Sequence, residues 1–475
     1  MKFYDITNKK VQVSFKEAVL KGFNSETGGV FMPAELGKIS PAMIYKNPPS
    51  SFRDICFEII KSFCGDEIPE GELMSIIAQF YPHRLPINPI APTTYILELF
   101  HGPTCNYKDI GAGFLAYLLE YFNKDEDREI NLIVPASGER ACAIASAVSQ
   151  VKGVKALLLY PKDSLTEIQE NILSSIPKNI YTICVDGSFK DCENIVDKAL
   201  KDEDLLKKLK LVSGGALNIA PLLPQVAFFV YAALTVLYRS DYDNKIENPS
   251  IITSIPSGSF SALTAALIAK KMGTPITGLI SAENENHALS DWLTVEDVKD
   301  FEKRPAVKTN TPALDIPNTI NFKRMLQIYD FEELKKQIIP YWLDDVGTIS
   351  SVRTCNERTG YIIDPYGAMA WTAWQDVYHG AMNSLKRKTS ENDEAPGIPL
   401  KYANIKTWAS SIHKNSMVGI VLQTSHPAKF PEIMKPAIGR PPSLPDRLES
   451  LQYRPLKAVN IPPDYSMFKE WALSH

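Results

Sequence analysis

Ile251-Ile252-Thr253-Ser254-Ile255-Pro256-Ser257-Gly258-Ser259-Phe260-Ser261-Ala262-Leu263 reads as a strand, a turn and the start of a helix. The run 251–255, β-branched at all but Ser254, reads as a strand. Small polar residues follow, and a helical period then runs from 260 to 272. The unit recurs along the chain. Strands are predicted at 130–134, 155–160, 180–185, 276–280 and 418–423. Helices are predicted through 150, at 165–174, as one long charged helix at 189–209, and after Pro427. Serial strand–turn–helix units predict an α/β fold of open, mostly parallel sheets flanked by helices.

The first part of the chain differs. Residues 1–92 read as a mainly helical N-terminal unit, with a helix over 13–19 capped near Ser14 and an amphipathic helix over 52–64. The proline-rich stretch 82–92 reads as a linker. Residues 93–475 form the rest, with a smaller α/β subdomain around 128–210. Residues 288–345 carry helical pieces such as 330–337 but no strand rhythm, and 383–402 reads as a charged loop. Both read as insertions.

The 475 residues carry 51 basic and 55 acidic side chains, a net charge of −4. No basic run exceeds Lys386-Arg387-Lys388, so no nucleic-acid partner is expected. The seven cysteines show no metal-ligand spacing and the seven histidines are dispersed, so no metal site is expected. Free thiols suit a reducing cytoplasm. The N-terminus does not read as a signal peptide. The apolar run 226–238 is too short for a bilayer, which needs about 20 residues, and reads as a buried helix. No membrane partner is expected.

Lys108 stands in Phe100-His101-Gly102-Pro103-Thr104-Cys105-Asn106-Tyr107-Lys108-Asp109, before an apolar segment. Burial there lowers a lysine pKa and frees its lone pair for Schiff-base chemistry. Three strand-to-helix turns accompany it: Ser257-Gly258-Ser259-Phe260, Ala136-Ser137-Gly138-Glu139-Arg140-Ala141, and Thr424-Ser425-His426-Pro427. Each alone reads more readily as an ordinary capped helix start or strand end. Together they offer a lysine, a phosphate cradle, a carboxylate turn and a hydroxyl for a ring nitrogen. That set suits pyridoxal 5′-phosphate.

These residues resemble the threonine synthases, pyridoxal-phosphate enzymes of the tryptophan-synthase β-like fold. The family's Leu-Glu-Leu-Phe-His-Gly-Pro-Thr-x-x-Phe-Lys-Asp is matched by 97–109, with Tyr107 for Phe. Pro256-Ser257-Gly258-x-Phe260 matches the phosphate loop, and 424–430 matches the C-terminal motif. The opening, 12–15 through 28–33, also matches. The resemblance implies that Lys108 is the Schiff-base lysine and shuttles the substrate's protons. It implies that Ser257, Gly258, Ser259 and Phe260 bind the cofactor phosphate, and that Thr424 faces the pyridine nitrogen. Glu139 is expected near the cofactor hydroxyl; Ser137, Gly138, Arg140 and Asn218 are expected to touch substrate. The implied reaction takes O-phospho-L-homoserine and water to L-threonine and phosphate, in a monomer or homodimer.

Several positions depart from the family pattern. Glu139-Arg140 replaces Asp-Thr, and Ser259 and Ser261 replace Asn and Gly. Gly214-Gly215-Ala216 and Pro221 stand in a segment that usually carries Ala-Asn-Ser and an Arg, and Gly113 stands where an Arg is common. Asp364-Pro365-Tyr366-Gly367 replaces Asp/Cys-Pro-His-Thr. Two other functions therefore stay open at this point: β/γ-elimination or replacement on a different amino acid, and a non-catalytic binding protein.

Overall fold

The computed structural model describes residues 1–176, 179–238, 249–296, 305–316, 319–387, 417–451 and 455–474, with 381–387 described by backbone alone. Its centre is a six-stranded sheet in the order Ile338–Trp342, Gly278–Glu283, Ser250–Pro256, Met417–Gln423, Thr94–Glu98, Ile87–Ala91. All neighbours are parallel except the last pair. A second, wholly parallel sheet runs Val459–Ile461, Ile180–Val185, Val154–Pro161, Ile130–Pro135, Lys210–Ser213. The α/β expectation therefore holds. The inner strands are buried on both faces; Met417–Gln423 is buried at every position.

The N-terminal residues add a small antiparallel sheet of Phe3–Asp5, Gln12–Val13 and Phe31–Pro33. Helix Phe15–Lys21 starts at Ser14, whose side chain accepts from Glu17 N in a full capping box. Helix Phe52–Cys64 buries Ile55, Ile59, Ile60 and Phe63 on one face. That face packs on helix Leu223–Leu237, whose apolar surround marks it as a core helix. With the turn before it, the apolar run Ala220–Leu237 reaches 18 residues of mean hydropathy 1.8, and 78% of it is buried inside the protein. Phe15 meets Phe122 at 6.1 Å and Phe80 meets Phe114 at 5.4 Å, so one core joins these helices to helix Lys108–Asn123.

Four sequence expectations need correction. The 82–92 linker contains strand Ile87–Ala91, and the 288–345 stretch contains strand Ile338–Trp342. Both are edge strands carrying a proline, Pro89 and Pro340, which an edge tolerates and a central strand does not. The single helix expected over 189–209 is two helices, Phe189–Ala199 and Glu203–Lys208. Asp202 interrupts it by accepting from Leu205 N at 3.0 Å, a cap for the second helix. In the 383–402 stretch, 383–387 end helix Pro365–Arg387, and the remainder lies outside the described residues.

The carboxyl ends of Ser250–Pro256 and Met417–Gln423 deliver the turns at 257–261 and 424–425. Those of Ile130–Pro135 and Lys210–Ser213 deliver 136–140 and 214–218. Ligands in open parallel sheets bind at such ends.

Candidate active site

Lys108 is the first residue of helix Lys108–Asn123. The turn before it is held tightly. Asp109 accepts from Thr104 N at 2.9 Å and from Thr104 Oγ1 at 2.6 Å. A Cβ at Gly102 would lie 2.5 Å from Asp109 Oδ2, so only glycine fits there. Asn106 Nδ2 donates to Ser425 Oγ at 2.6 Å, Tyr107 N donates to Thr424 O at 2.9 Å, and His426 N donates to Cys105 O at 3.1 Å. These bonds fasten the lysine turn to the end of strand Met417–Gln423. They bring Lys108 and Thr424 to one cavity wall. Burial, and next the charge of Arg140, pull the Lys108 amine down to about 8. Among the described residues Thr424 Oγ1 has no hydrogen-bond partner and is open to a ligand.

The turn after Ser250–Pro256 fits a phosphate. Phe260 is left-handed, with φ 56° and ψ 17°, and helix Ser261–Lys271 begins behind it. Among the described residues, the N–H groups of 258–262 meet no acceptor, since the first helical bond is Thr264 N to Phe260 O. Consecutive unbonded N–H groups at a helix start form an anion cradle. A Cβ at Gly258 would lie 2.5 Å from Leu314 Cα, so the cradle closes only on glycine. Gly258→Ala is expected to weaken pyridoxal-phosphate binding about tenfold, since overpacking costs about 1–3 kcal/mol; equilibrium dialysis of the cofactor checks it. The Tyr107 hydroxyl faces Ser261 and Ser259, which offset part of the rise that burial gives its pKa, so three departures from the family pattern meet in this cradle. Ser257 does not join it. Its N–H goes to Ala282 O at 2.7 Å and its hydroxyl to Ile255 O at 2.9 Å, which uses both donors behind the wall.

Helix Gly138–Val148 starts at Ser137, whose side chain makes no capping bond. Ser137 and Arg140 line the cavity, and the N–H groups of 138–140 precede the first helical bond, Ala141 N to Ser137 O. Gly138 admits the Gln169 side chain; a Cβ there would lie 1.9 Å from Gln169 Oε1. Glu139 is not at the cavity as expected. Its carboxylate is buried between Lys429 Nζ at 2.6 Å and Gln169 Nε2 at 3.0 Å, with Lys429 also donating to Thr104 O at 2.9 Å. Asn218 borders the cavity, but its amide is spent. Nδ2 donates to Val19 O at 2.9 Å and Ser213 O at 3.0 Å, and Oδ1 accepts from Ala220 N at 3.0 Å. It ties the 213–220 turn to the N-terminal helix instead of meeting a ligand.

Two cavities adjoin at Tyr107, Lys108, Arg140 and Ser261. One holds the 258–262 cradle and Thr424; the other holds Arg140, Arg324 and the 214–216 turn. Arg324 and Tyr366 are lining residues that sequence reasoning missed as candidates. In a single sequence, an arginine on the helix Asn321–Ile328 reads as solvated surface, yet Arg324 is 1% exposed.

Two family models match the chain: "Threonine synthase N terminus" at residues 2–81 and "Threonine synthase, C-terminal" at 404–471. The threonine synthase of Buchnera aphidicola subsp. Baizongia pistaciae is 30% identical, with 100% of each chain covered. The chain belongs to the threonine synthase family. The threonine synthase of Escherichia coli K12 is 28% identical, again with 100% of each chain covered. In solved structures, the Escherichia coli threonine synthase superposes with a TM-score of 0.83 at 27% identity, covering 100% of both chains. The fold is also that of the pyridoxal-phosphate-bound threonine synthase from Brucella melitensis, TM-score 0.80 at 22% identity, covering 100% of this chain and 99% of that one. The lysine turn and the cradle thus sit in a threonine-synthase framework, and the departures at 107, 140, 215 and 221 are variations within that family.

Proposed function

We propose that this protein is a pyridoxal-phosphate-dependent threonine synthase, converting O-phospho-L-homoserine and water to L-threonine and phosphate. One observation carries the reading. The adjoining cavities present Lys108, Arg140 and Arg324, no acidic side chain among the described residues, and N–H runs at 138–140 and 258–262 without acceptors. Such a lining suits a ligand set rich in anions: a cofactor phosphate, a substrate carboxylate and a substrate phosphate.

Pyridoxal phosphate supplies an electron sink that acidifies hydrogens on Cα and Cβ of a bound amino acid. The 258–262 amides would hold its phosphate, and Thr424 Oγ1 would face its ring nitrogen. Ser137, the 138–140 amides and Arg140 hold the substrate carboxylate. Lys108 Nζ moves protons at Cα and Cβ, and an amine near 8 has both its acid and base forms within reach at neutral pH. Phosphate leaves from Cγ and water adds at Cβ. The protein acts in the cytoplasm as a monomer or homodimer; its seven cysteines, all free and buried, suit a reducing compartment.

The pH dependence follows from Lys108. Only its neutral amine bonds the cofactor aldehyde, and its pKa lies below the ordinary 10.5, at about 8. The rate at which apoprotein develops the near-visible cofactor band is expected to rise with pH and level off above about 8. Arg140→Gln removes the second cause of the lowering, so its midpoint moves up. A wild-type midpoint near 10.5 contradicts the arrangement.

The function is tested by mixing cofactor-loaded protein with O-phospho-L-homoserine and measuring phosphate and threonine together. Both are expected, and both should vanish in cofactor-free protein. Neither product, or phosphate alone, overturns the proposal.

A further inference from the structure

Arg324 is a buried cation with no carboxylate partner among the described residues. Its Nη1 donates to Asn321 Oδ1 at 3.0 Å and to Ala216 O, its Nη2 donates to Leu217 O at 2.6 Å, and its Nε is buried without a partner. Burial pulls it down to about 9, which still leaves it charged at neutral pH. A buried charge without a counter-ion is costly, and an anionic ligand in the cavity it lines would offset that cost.

The two carbonyls that Arg324 takes belong to one turn. Along that turn the N–H groups of Gly215, Ala216 and Leu217 meet no acceptor among the described residues. Gly215 is buried, yet a Cβ there would meet nothing nearer than Pro135 Cδ at 3.8 Å, so its face is open. Pro221, which borders the same cavity, carries no charge. A peptide carbonyl and the N–H that follows it point in opposite directions. Arg324 therefore draws the carbonyl of Ala216 to its own side and turns the N–H of Leu217 away from it.

We propose that Arg324 is the specificity-determining cation for the substrate's phosphate monoester, supplying charge itself and clamping the 214–217 turn so that the free N–H groups of Gly215 and Ala216, which line the cavity, complete the receptor. The inference rests on the threonine synthase reading and deepens it. It places the cation for phosphate recognition on a helix distant in sequence from the turn, with backbone donors beside it.

The test uses cofactor-loaded protein and two probes followed by the cofactor spectrum: L-2-amino-5-phosphonopentanoate, which carries a phosphonate, and L-norvaline, which lacks it. Arg324→Gln should weaken the phosphonate at least ~30-fold, the worth of one or two charge-assisted bonds, and change norvaline less than twofold. Arg324→Lys should recover part of the loss. With O-phospho-L-homoserine the loss should fall mainly on KM. Equal weakening of both probes, or of neither, overturns the inference. If Arg324→Gln fails to hold cofactor, Gly215→Pro removes one free N–H in an open place and carries the same expectation for both probes. Failure of the wild-type protein to bind the phosphonate would instead count against the threonine synthase reading itself.

Discussion

Lys108→Ala removes the near-visible band of lysine-bound pyridoxal phosphate and lowers kcat at least ~10⁴-fold, because one amine both bonds the cofactor and moves the substrate's protons. The cofactor itself is retained, since the 258–262 amides are untouched. The spectrum should therefore shift to that of free aldehyde bound without a covalent link. The other lysine close by is Lys429. It cannot substitute, because its ion pair with Glu139 at 2.6 Å keeps it protonated. A variant that keeps the original band would show that the wrong lysine has been assigned.

The second large effect is on stability. Glu139 and Lys429 are both buried, and together with Gln169 and Thr104 they join the 138 helix to the C-terminal motif. Lys429→Met leaves the Glu139 carboxylate buried without its cation and should cost about 3–5 kcal/mol of unfolding free energy. Glu139→Leu in the same protein should recover most of that loss, because an apolar pair of similar volume carries no stranded charge. Urea unfolding of the two single variants and the double variant checks this. A double variant as unstable as the sum of the singles would mean that the two residues act independently.

The parallel core was legible because its strands are β-branched runs ending in small turns, as at 251–258 and 130–138. The edges were not, because Pro89 and Pro340 break the strand signal while an edge position forgives them. Residue types at the site were legible through the turns they sit in, which is how Lys108, Gly258, Arg140 and Thr424 were found. Side-chain engagement was not. Glu139, Asn218 and Ser257 have the right chemistry at the right turns, but Lys429, Val19 O and Ile255 O already use their polar atoms. Arg324 shows the converse. Nothing local marks it, and its burial comes from the 214–217 turn, more than a hundred residues away in sequence.

The most direct test of the central claim is the reaction in ¹⁸O-water. Cofactor-loaded protein and O-phospho-L-homoserine should give threonine and phosphate in equal amounts, with the label in threonine and none in phosphate, because the Cγ–O bond breaks and water adds at Cβ. Labelled phosphate beside homoserine, or phosphate beside a 2-oxo acid and ammonia, would contradict it.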